Sequence, residues 1–302
     1  MIVSVIGLGA MGASYAAKLQ DAPGTVVRVI AGGARAERLR ESGVVVNDRR
    51  FDFPVVGPDD EVDPADLVIV GVKYPGFAAA LPALRRHITD GTIVISLLNG
   101  ITSEAEIAAA YPEAHVLLSI TFGIDAVRDG SRVTYASPGT IAFGEAVNTA
   151  PHSEPVRAVA ALFDAAGLRY EIPADMVARL WWKFLVNTGV NQVTAVLESP
   201  YAIVQNPDSP ARELMLAAQY EVVAIAQAQG IGLGEADIAS WLQVLAGLAP
   251  GAYTSMAQDV IARRPTEVEI FSGAIRRMGA ELGIPVPVNT CLYQILASQP
   301  LR

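Results

Sequence analysis

A chain of 302 residues, 52% hydrophobic and 18% charged, has length for two domains and enough apolar content for a sizeable core. Those proportions exclude a disordered chain, and a formal net charge of −9 speaks against nucleic acid or anionic lipid as a partner. The single cysteine, Cys291, excludes an internal disulfide and fits a cytoplasmic location; its thiol is expected to be buried and inert.

The N-terminal "MIVSVIGLGAMGASYAAKL" is apolar like a signal peptide but lacks a basic leading segment. Residues 2–6 ("IVSVI") predict a strand, "GLGAMG" a turn, and residues 13–22 a helix. A strand follows at 25–30, a helix at 34–43 closed by Gly43, and a continuous apolar strand at 66–72. Residues 79–88 read as helical, 92–98 as a strand, 104–111 as a helix and 115–121 as a strand. Residues 132–145 ("RVTYASPGTIAFGE") predict a hairpin at the far side of the sheet, and 155–167 and 168–172 add a helix and a strand. Alternating helices and strands that are apolar on both faces predict a doubly wound, Rossmann-type parallel sheet. After Pro173 the patterns are helical throughout, with long helices at 181–196, 211–230 and 267–283, the last closed by Gly283. The expected organisation is an α/β domain at 1–173 and a helical domain at 174–302. No apolar run approaches the ~18 residues of a membrane span.

Gly7, Gly9 and Gly12 form G-x-G-x-x-G between the first strand and first helix. In that setting Gly7 permits the tight turn, Gly9 lets a pyrophosphate approach the backbone, and Gly12 lets helix and strand pack closely. The helix start adds N–H groups and a positive dipole end. The second strand ends in "VIAGGARAER", with no carboxylate for a ribose hydroxyl before Glu37. Arg35 is near enough in sequence to meet a 2′-phosphate, which favours NADP(H). Lys73 ("GVKYP") and Asn99 ("LLNGI") stand just past the third and fourth strands, where an open parallel sheet binds ligands, although either could be only a turn residue.

Three lysines, Lys18, Lys73 and Lys183, stand against nineteen arginines, so a retained lysine suggests a compact ammonium or a proton donor. Lys183, Asn187 and Asn191 recur at every fourth residue of "WWKFLVNTGVNQVTAV" and so share one helical face. That row is either a structural hydrogen-bond network or the lining of a cleft whose substrate supplies the partners. A lysine with lowered pKa beside a nicotinamide is suited to act as general acid in carbonyl reduction. Further on, "YTSMAQDVIARRPTEVEIFSGAI" contains Ser255 and Glu267, with Pro265 placing Glu267 in a first helical turn, where a carboxylate is favoured in any case. His87, His115 and His152 lie far apart, and no metal site is expected.

"GLGAMG", "VKYP", "LLNGI", "WWKFLVNTGVNQVTA", "TSMAQDVIARRPTEVE" and "GIPVPVN", in that order, resemble the ketopantoate reductases over nearly the whole chain. The resemblance implies NADPH-dependent reduction of 2-dehydropantoate to pantoate in pantothenate biosynthesis, with the active site in a cleft between a Rossmann and a helical domain. It implies that Gly7, Leu8, Gly9, Ala10, Met11 and Gly12 hold the pyrophosphate, and that Lys73, Asn99 and Ala126 contact the cofactor. By the same likeness Lys183 is the proton donor, Asn187, Asn191 and Ser255 join it in holding the 2-oxo acid, and Glu267 meets the nicotinamide half. A homodimer is a candidate assembly; no nucleic-acid or membrane partner is expected.

The chain departs from the family pattern at three places. Gly32 stands where an arginine often reads the 2′-phosphate, leaving Arg35 as a substitute. Tyr201 replaces an expected substrate-binding asparagine, and Ala252 replaces another polar residue. These last two leave hydride transfer intact and put the identity of the 2-oxo acid in question. The competing readings are a 3-hydroxyacid dehydrogenase of the related helical-domain superfamily, to which the "TSM…TE" segment is foreign, and a non-enzymatic NADPH-binding redox sensor, which has no need of Lys183 with Glu267.

Overall fold

The computed structural model describes residues 1–299. The chain falls into two compact units, Met1–Val177 and a second that begins at Ala178.

The first unit opens with β1 (Ile2–Ile6), α1 (Ala10–Gln20), β2 (Val26–Ile30) and α2 (Gly33–Ser42). Then come β3 (Val44–Val46), β4 (Arg49–Phe51), β5 (Val55–Val56), β6 (Leu67–Val70), the single turn α3 (Phe77–Ala80), β7 (Ile93–Ser96) and α4 (Ser103–Ala110). It closes with β8 (His115–Ile124), β9 (Val127–Asp129), β10 (Arg132–Thr134), β11 (Pro138–Gly144), α5 (Glu154–Ala165) and β12 (Tyr170–Glu171). The main sheet has the order β12-β11-β8-β7-β6-β1-β2-β5, parallel except where β11 meets β8. Alternate residues feed opposite faces: Leu67 and Ile69 join the core beneath α1 and α5, while Val68 and Val70 join a second core with Phe77 and Leu84. Both faces are covered, which is why these strands read as unbroken apolar runs.

Three local features differ from what the sequence patterns indicate. Residues 132–145 are not one hairpin. β10 belongs to a small second sheet, β4-β3-β10-β9, and β11 to the main one. Between them Asp125 accepts the backbone N–H groups of Ala136 and Ser137 at 3.0 and 2.8 Å, which turns the chain from one sheet to the other. The strands β3 and β4 went unread because each is three residues long; they meet through Asn47 and Asp48, whose positive φ values (44° and 66°) suit a tight hairpin. Residues 79–88 give only the end of α3 and a 3-10 turn at Leu81–Leu84, because Pro82 has no N–H for a longer helix.

A polar network lies inside this unit. Arg28 donates to Ser4 Oγ (2.8 Å) and to the carbonyl of Asp63, and its Nη2 lies 3.3 Å from His87 Nδ1. His87 is fully buried, so its Nδ1 accepts and the proton sits on Nε2, which finds no partner among the described residues. Burial, and then the charge of Arg28, hold the imidazole down to about 4 against a smaller opposing pull from Asp60.

The second unit is helical. α6 (Met176–Val196), whose first two residues belong to the first unit, leads to α7 (Ala202–Gln205), α8 (Pro210–Ala228), α9 (Glu235–Ala246), α10 (Ser255–Ile261), α11 (Ser272–Leu282) and α12 (Pro287–Ala297). Gly189 lets α6 and α8 approach, since a Cβ there would lie 2.6 Å from the Gln219 side chain. Gln192, fully buried on α6, accepts from the backbone and hydroxyl of Ser272, and the Ser272 hydroxyl also donates to Asn289 at 3.1 Å. Asn289 in turn donates to Glu221 at 2.8 Å, so α6, α8, α11 and α12 share one network.

That network explains a fourth correction. Residues 267–283 are not one helix: a 3-10 turn at Val268–Ile270 ends at Phe271 (φ −105°, ψ −97°), and α11 begins at Ser272. The Ser272 N–H is engaged by Gln192 and so cannot continue a helix from the preceding turn. Gly283, left-handed at φ 69°, does close α11. Cys291 is exposed rather than buried, because α12 turns Asn289, Leu292 and Leu296 inward and leaves Cys291 on its other face.

Candidate active site

In the first unit the turn after β1 is built around Gly7, which has φ +94° and whose added Cβ would lie 2.5 Å from the Gly71 carbonyl carbon. A Cβ on Gly12 would lie 2.0 Å from the Gly7 oxygen. Both glycines are therefore required by the protein's own packing. Gly9 differs: its nearest neighbour would be the Gly71 oxygen at 3.7 Å, so nothing inside the protein demands a glycine there. Gly9 is the N-cap of α1, with no side-chain cap and no acidic residue in the first turn. The open N–H groups and the missing side chain form a cradle fit for a pyrophosphate. Leu8 and Gly12 are buried, whereas Gly9, Ala10 and Met11 are half-buried.

Around that cradle stand the ends of the neighbouring parallel strands. Lys73 follows β6, exposed, at the head of the 3-10 turn Tyr74–Gly76. Asn99 follows β7 and is half-buried beside Gly100 (φ 92°). Ala126 is half-buried between β8 and β9, and Arg35 is exposed in the first turn of α2. All four positions follow the carboxyl ends of strands of the sheet.

Two features here escaped the sequence reading. Glu104 is buried, accepting from the Ser103 hydroxyl at 2.8 Å, while Ser103 and Ser96 hydroxyls lie 2.8 Å apart at the end of β7. This braces the loop that carries Asn99, and only the spatial meeting of Ser96 with Ser103 reveals it. The second is Arg128 on β9, which lies within electrostatic reach of Arg35. No spacing in the sequence joins residues so far apart.

In the second unit α6 carries Lys183 and Asn187, both half-buried, and Asn191, buried. Among the described residues neither asparagine amide has a hydrogen-bond partner in the protein. One turn on, the Thr194 hydroxyl meets that of Thr254 at 2.8 Å, and Thr254 caps α10 by accepting from Ala257 N–H. Ser255 is thus the exposed first residue of α10, anchored close to the row on α6. The Tyr201 N–H donates to the Ala252 carbonyl at 2.9 Å, so the two departures from the family pattern are neighbours. Burial raises the phenol pKa of Tyr201. Glu267, half-buried, does not lie in the first turn of an α-helix; it precedes the 3-10 turn at Val268–Ile270.

Among the described residues no group of three or more His, Cys, Asp or Glu could hold a metal, and no helix is long and apolar enough to cross a membrane.

The model of the family described as "Ketopantoate reductase PanE/ApbA" matches residues 3–148, and its C-terminal counterpart matches residues 175–299. The 2-dehydropantoate 2-reductase of Halobacterium salinarum is 31% identical, over 98% of both chains. Among solved structures, a D-mandelate dehydrogenase in ternary complex with NADH and anilino(oxo)acetate superposes with a TM-score of 0.87 at 24% identity, over 99% of this chain and 98% of that one. A dimeric ketopantoate reductase from Staphylococcus aureus gives 0.81 at 24% identity with the same coverage. These two likenesses establish the fold.

Proposed function

The chain belongs to the ketopantoate reductase family, an oxidoreductase acting on a CH–OH group, and on that premise we propose that it reduces 2-dehydropantoate, or a related 2-oxo acid, with NADPH. The reaction would serve pantothenate biosynthesis. In this reading residues 1–173 hold the cofactor and residues 174–302 hold the substrate and the acid. A homodimer is the assembly to test, on the pattern of the dimeric S. aureus relative.

The cofactor supplies a hydride to the carbonyl carbon. Residues Gly7 to Gly12 take its pyrophosphate, Arg35 its 2′-phosphate, and Lys73, Asn99, Ala126 and Glu267 contact the rest. The NADPH assignment is supported by the missing carboxylate after β2 and by an exposed arginine in the first turn of α2. The D-mandelate dehydrogenase neighbour was solved with NADH, so the choice between cofactors calls for measurement.

Lys183 gives its proton to the carbonyl oxygen as negative charge develops there. An ammonium can do both, whereas a guanidinium holds its proton too tightly. Asn187, Asn191 and Ser255 orient the carboxylate and the oxygen being reduced. The observation that carries this reading is the row on α6: two amides at low exposure without a partner among the described residues, aligned with a lysine. Such amides suit a ligand that brings its own hydrogen-bonding groups.

The test is a panel of 2-oxo acids with oxidation of NADPH and of NADH followed by absorbance. We expect turnover of 2-dehydropantoate or another 2-oxo acid with NADPH preferred. Absence of turnover for every 2-oxo acid would remove the reading, and preference for NADH would remove the cofactor assignment. Negligible 2-dehydropantoate turnover beside good turnover of another acid would keep the chemistry and point to Tyr201 and Ala252. Tyr201→Asn should then improve 2-dehydropantoate reduction.

A further inference from the structure

Two arginines of the first unit, Arg38 and Arg128, lie within electrostatic reach of a third, Arg35. Arg35 stands in the first turn of α2 and Arg38 one turn later, close enough to repel it. Arg128 comes from β9, more than ninety residues on, and meets Arg35 in the same way. Register explains the meeting. β3 follows directly on α2 after Gly43, β10 pairs with β3 (Val133 with Val46), and β9 pairs with β10 (Arg128 with Val133). The small sheet therefore carries Arg128 back beside α2.

In a chain with net charge −9, such a cluster would ordinarily find acidic partners. Among the described residues none of the three forms an ion pair. Among the described residues the Arg128 side chain makes one hydrogen bond, from Nε to the Gly130 carbonyl (2.8 Å), and its two terminal amino groups face no protein acceptor there. Neighbouring protein, and then the adjacent arginine, lower the pKa of both Arg35 and Arg128, although each keeps solvent on one side. Like charges held together in this way are relieved by an anion, and a guanidinium pair matches the oxygens of a phosphate. The start of α2 adds N–H groups with no side-chain cap, and its first residue, Gly33, is exposed with nothing near where a Cβ would stand.

We infer that Arg128 is a specificity-determining residue that acts with Arg35 to bind a phosphomonoester on the ribose of the cofactor, with Arg38 adding charge from behind. This rests on the NADPH reading above and extends it to a residue of the small sheet, where position 32 offers only glycine. The two-stranded extension β9–β10 thereby supplies one half of the phosphate clamp.

The test is equilibrium binding to the full chain by calorimetry, with 2′,5′-ADP, 5′-ADP and inorganic phosphate as separate ligands. Wild type should bind 2′,5′-ADP more tightly than 5′-ADP. Arg128→Ala should weaken 2′,5′-ADP by roughly tenfold, change 5′-ADP by less than about twofold, and be partly rescued by Arg128→Lys. Arg35→Ala and the double variant should show losses that fail to add, because the two residues share one ligand. If Arg128→Ala weakens both nucleotides equally, or neither, the inference is overturned while a wild-type preference for 2′,5′-ADP keeps the NADPH reading intact. Equal wild-type affinity for the two nucleotides would remove both. Loss of inorganic phosphate binding in Arg128→Ala, without discrimination between the nucleotides, would mark a free-phosphate site and overturn the inference.

Discussion

On the proposed reading, the cradle after β1 and the row on α6 would serve their ligands by opposite means. The cradle is backbone: side chains are missing at Gly7, Gly9 and Gly12, at two of them because the fold leaves no room and at Gly9 although the fold would admit one. The row is side chain: Lys183, Asn187 and Asn191 are added to a helix whose other faces bury Phe184, Leu185, Val190 and Val193. A backbone site is tied to the folding of its unit, so damage there reaches stability. A side-chain site stands on a scaffold that folds without it, so damage there should reach chemistry alone.

The largest effect that can break this contrast is at Lys183. Lys183→Ala should lower kcat by roughly 10²–10⁴, the range for a positioned acid, with NADPH affinity and thermal stability nearly unchanged. Lys183→Arg should recover little. Near-wild-type turnover by Lys183→Arg would mean that the proton comes from another group and that the lysine contributes only charge.

Acid should act on the first unit through its core. The His87 imidazole is held down to about 4 in the folded protein, against 6.5 when unfolded. Between these values the unfolded chain binds more protons, so stability falls as pH drops from 6.5 toward 4, by at most about 3 kcal/mol, and is fully retained above 6.5. Urea unfolding at about pH 7 and about pH 4 measures it. His87→Gln should flatten the slope; an unchanged slope would move the cause to other groups.

The glycines sharpen the comparison within one turn. Gly12→Ala places a methyl 2.0 Å from a backbone oxygen and should cost about 1–3 kcal/mol or more, together with cofactor binding. Gly9→Ala meets nothing closer than 3.7 Å and should leave the melting temperature alone while still weakening the cofactor. Equal melting temperatures for the two variants would contradict the division between packing glycine and ligand glycine.

The smallest effect belongs to the amides. Asn187→Ala and Asn191→Ala should each raise KM for the 2-oxo acid by roughly tenfold, the loss of one good hydrogen bond, with cofactor affinity unaffected. A shift in cofactor affinity alone would assign the row to the wrong ligand.

Much of this was legible in the sequence for physical reasons. The strands around Val5, Ile69 and Ile95 are apolar on both faces, so the doubly wound sheet announces itself. The spacing of Lys183, Asn187 and Asn191 survives as a helical face because α6 is uninterrupted. What could not be read depends on distant partners. The break at Phe271 follows from Gln192 taking the Ser272 N–H, eighty residues away. Arg128 reaches Arg35 only through the register of three short strands, and Glu104 is buried only because Ser96, Ser103 and the end of β8 converge on it.

Gln192 has a consequence for how this chain can diverge. It follows Asn191 directly, and its bonds to Ser272 and Asn289 fix the rotation of α6 about its own axis. The amides beside it are thereby held in a constant bearing whatever occupies Tyr201 and Ala252, which lie outside that network. On the proposed reading, exchanges at those two positions would retune substrate choice one residue at a time without turning the amides, so that new selectivities would be reachable by short mutational paths.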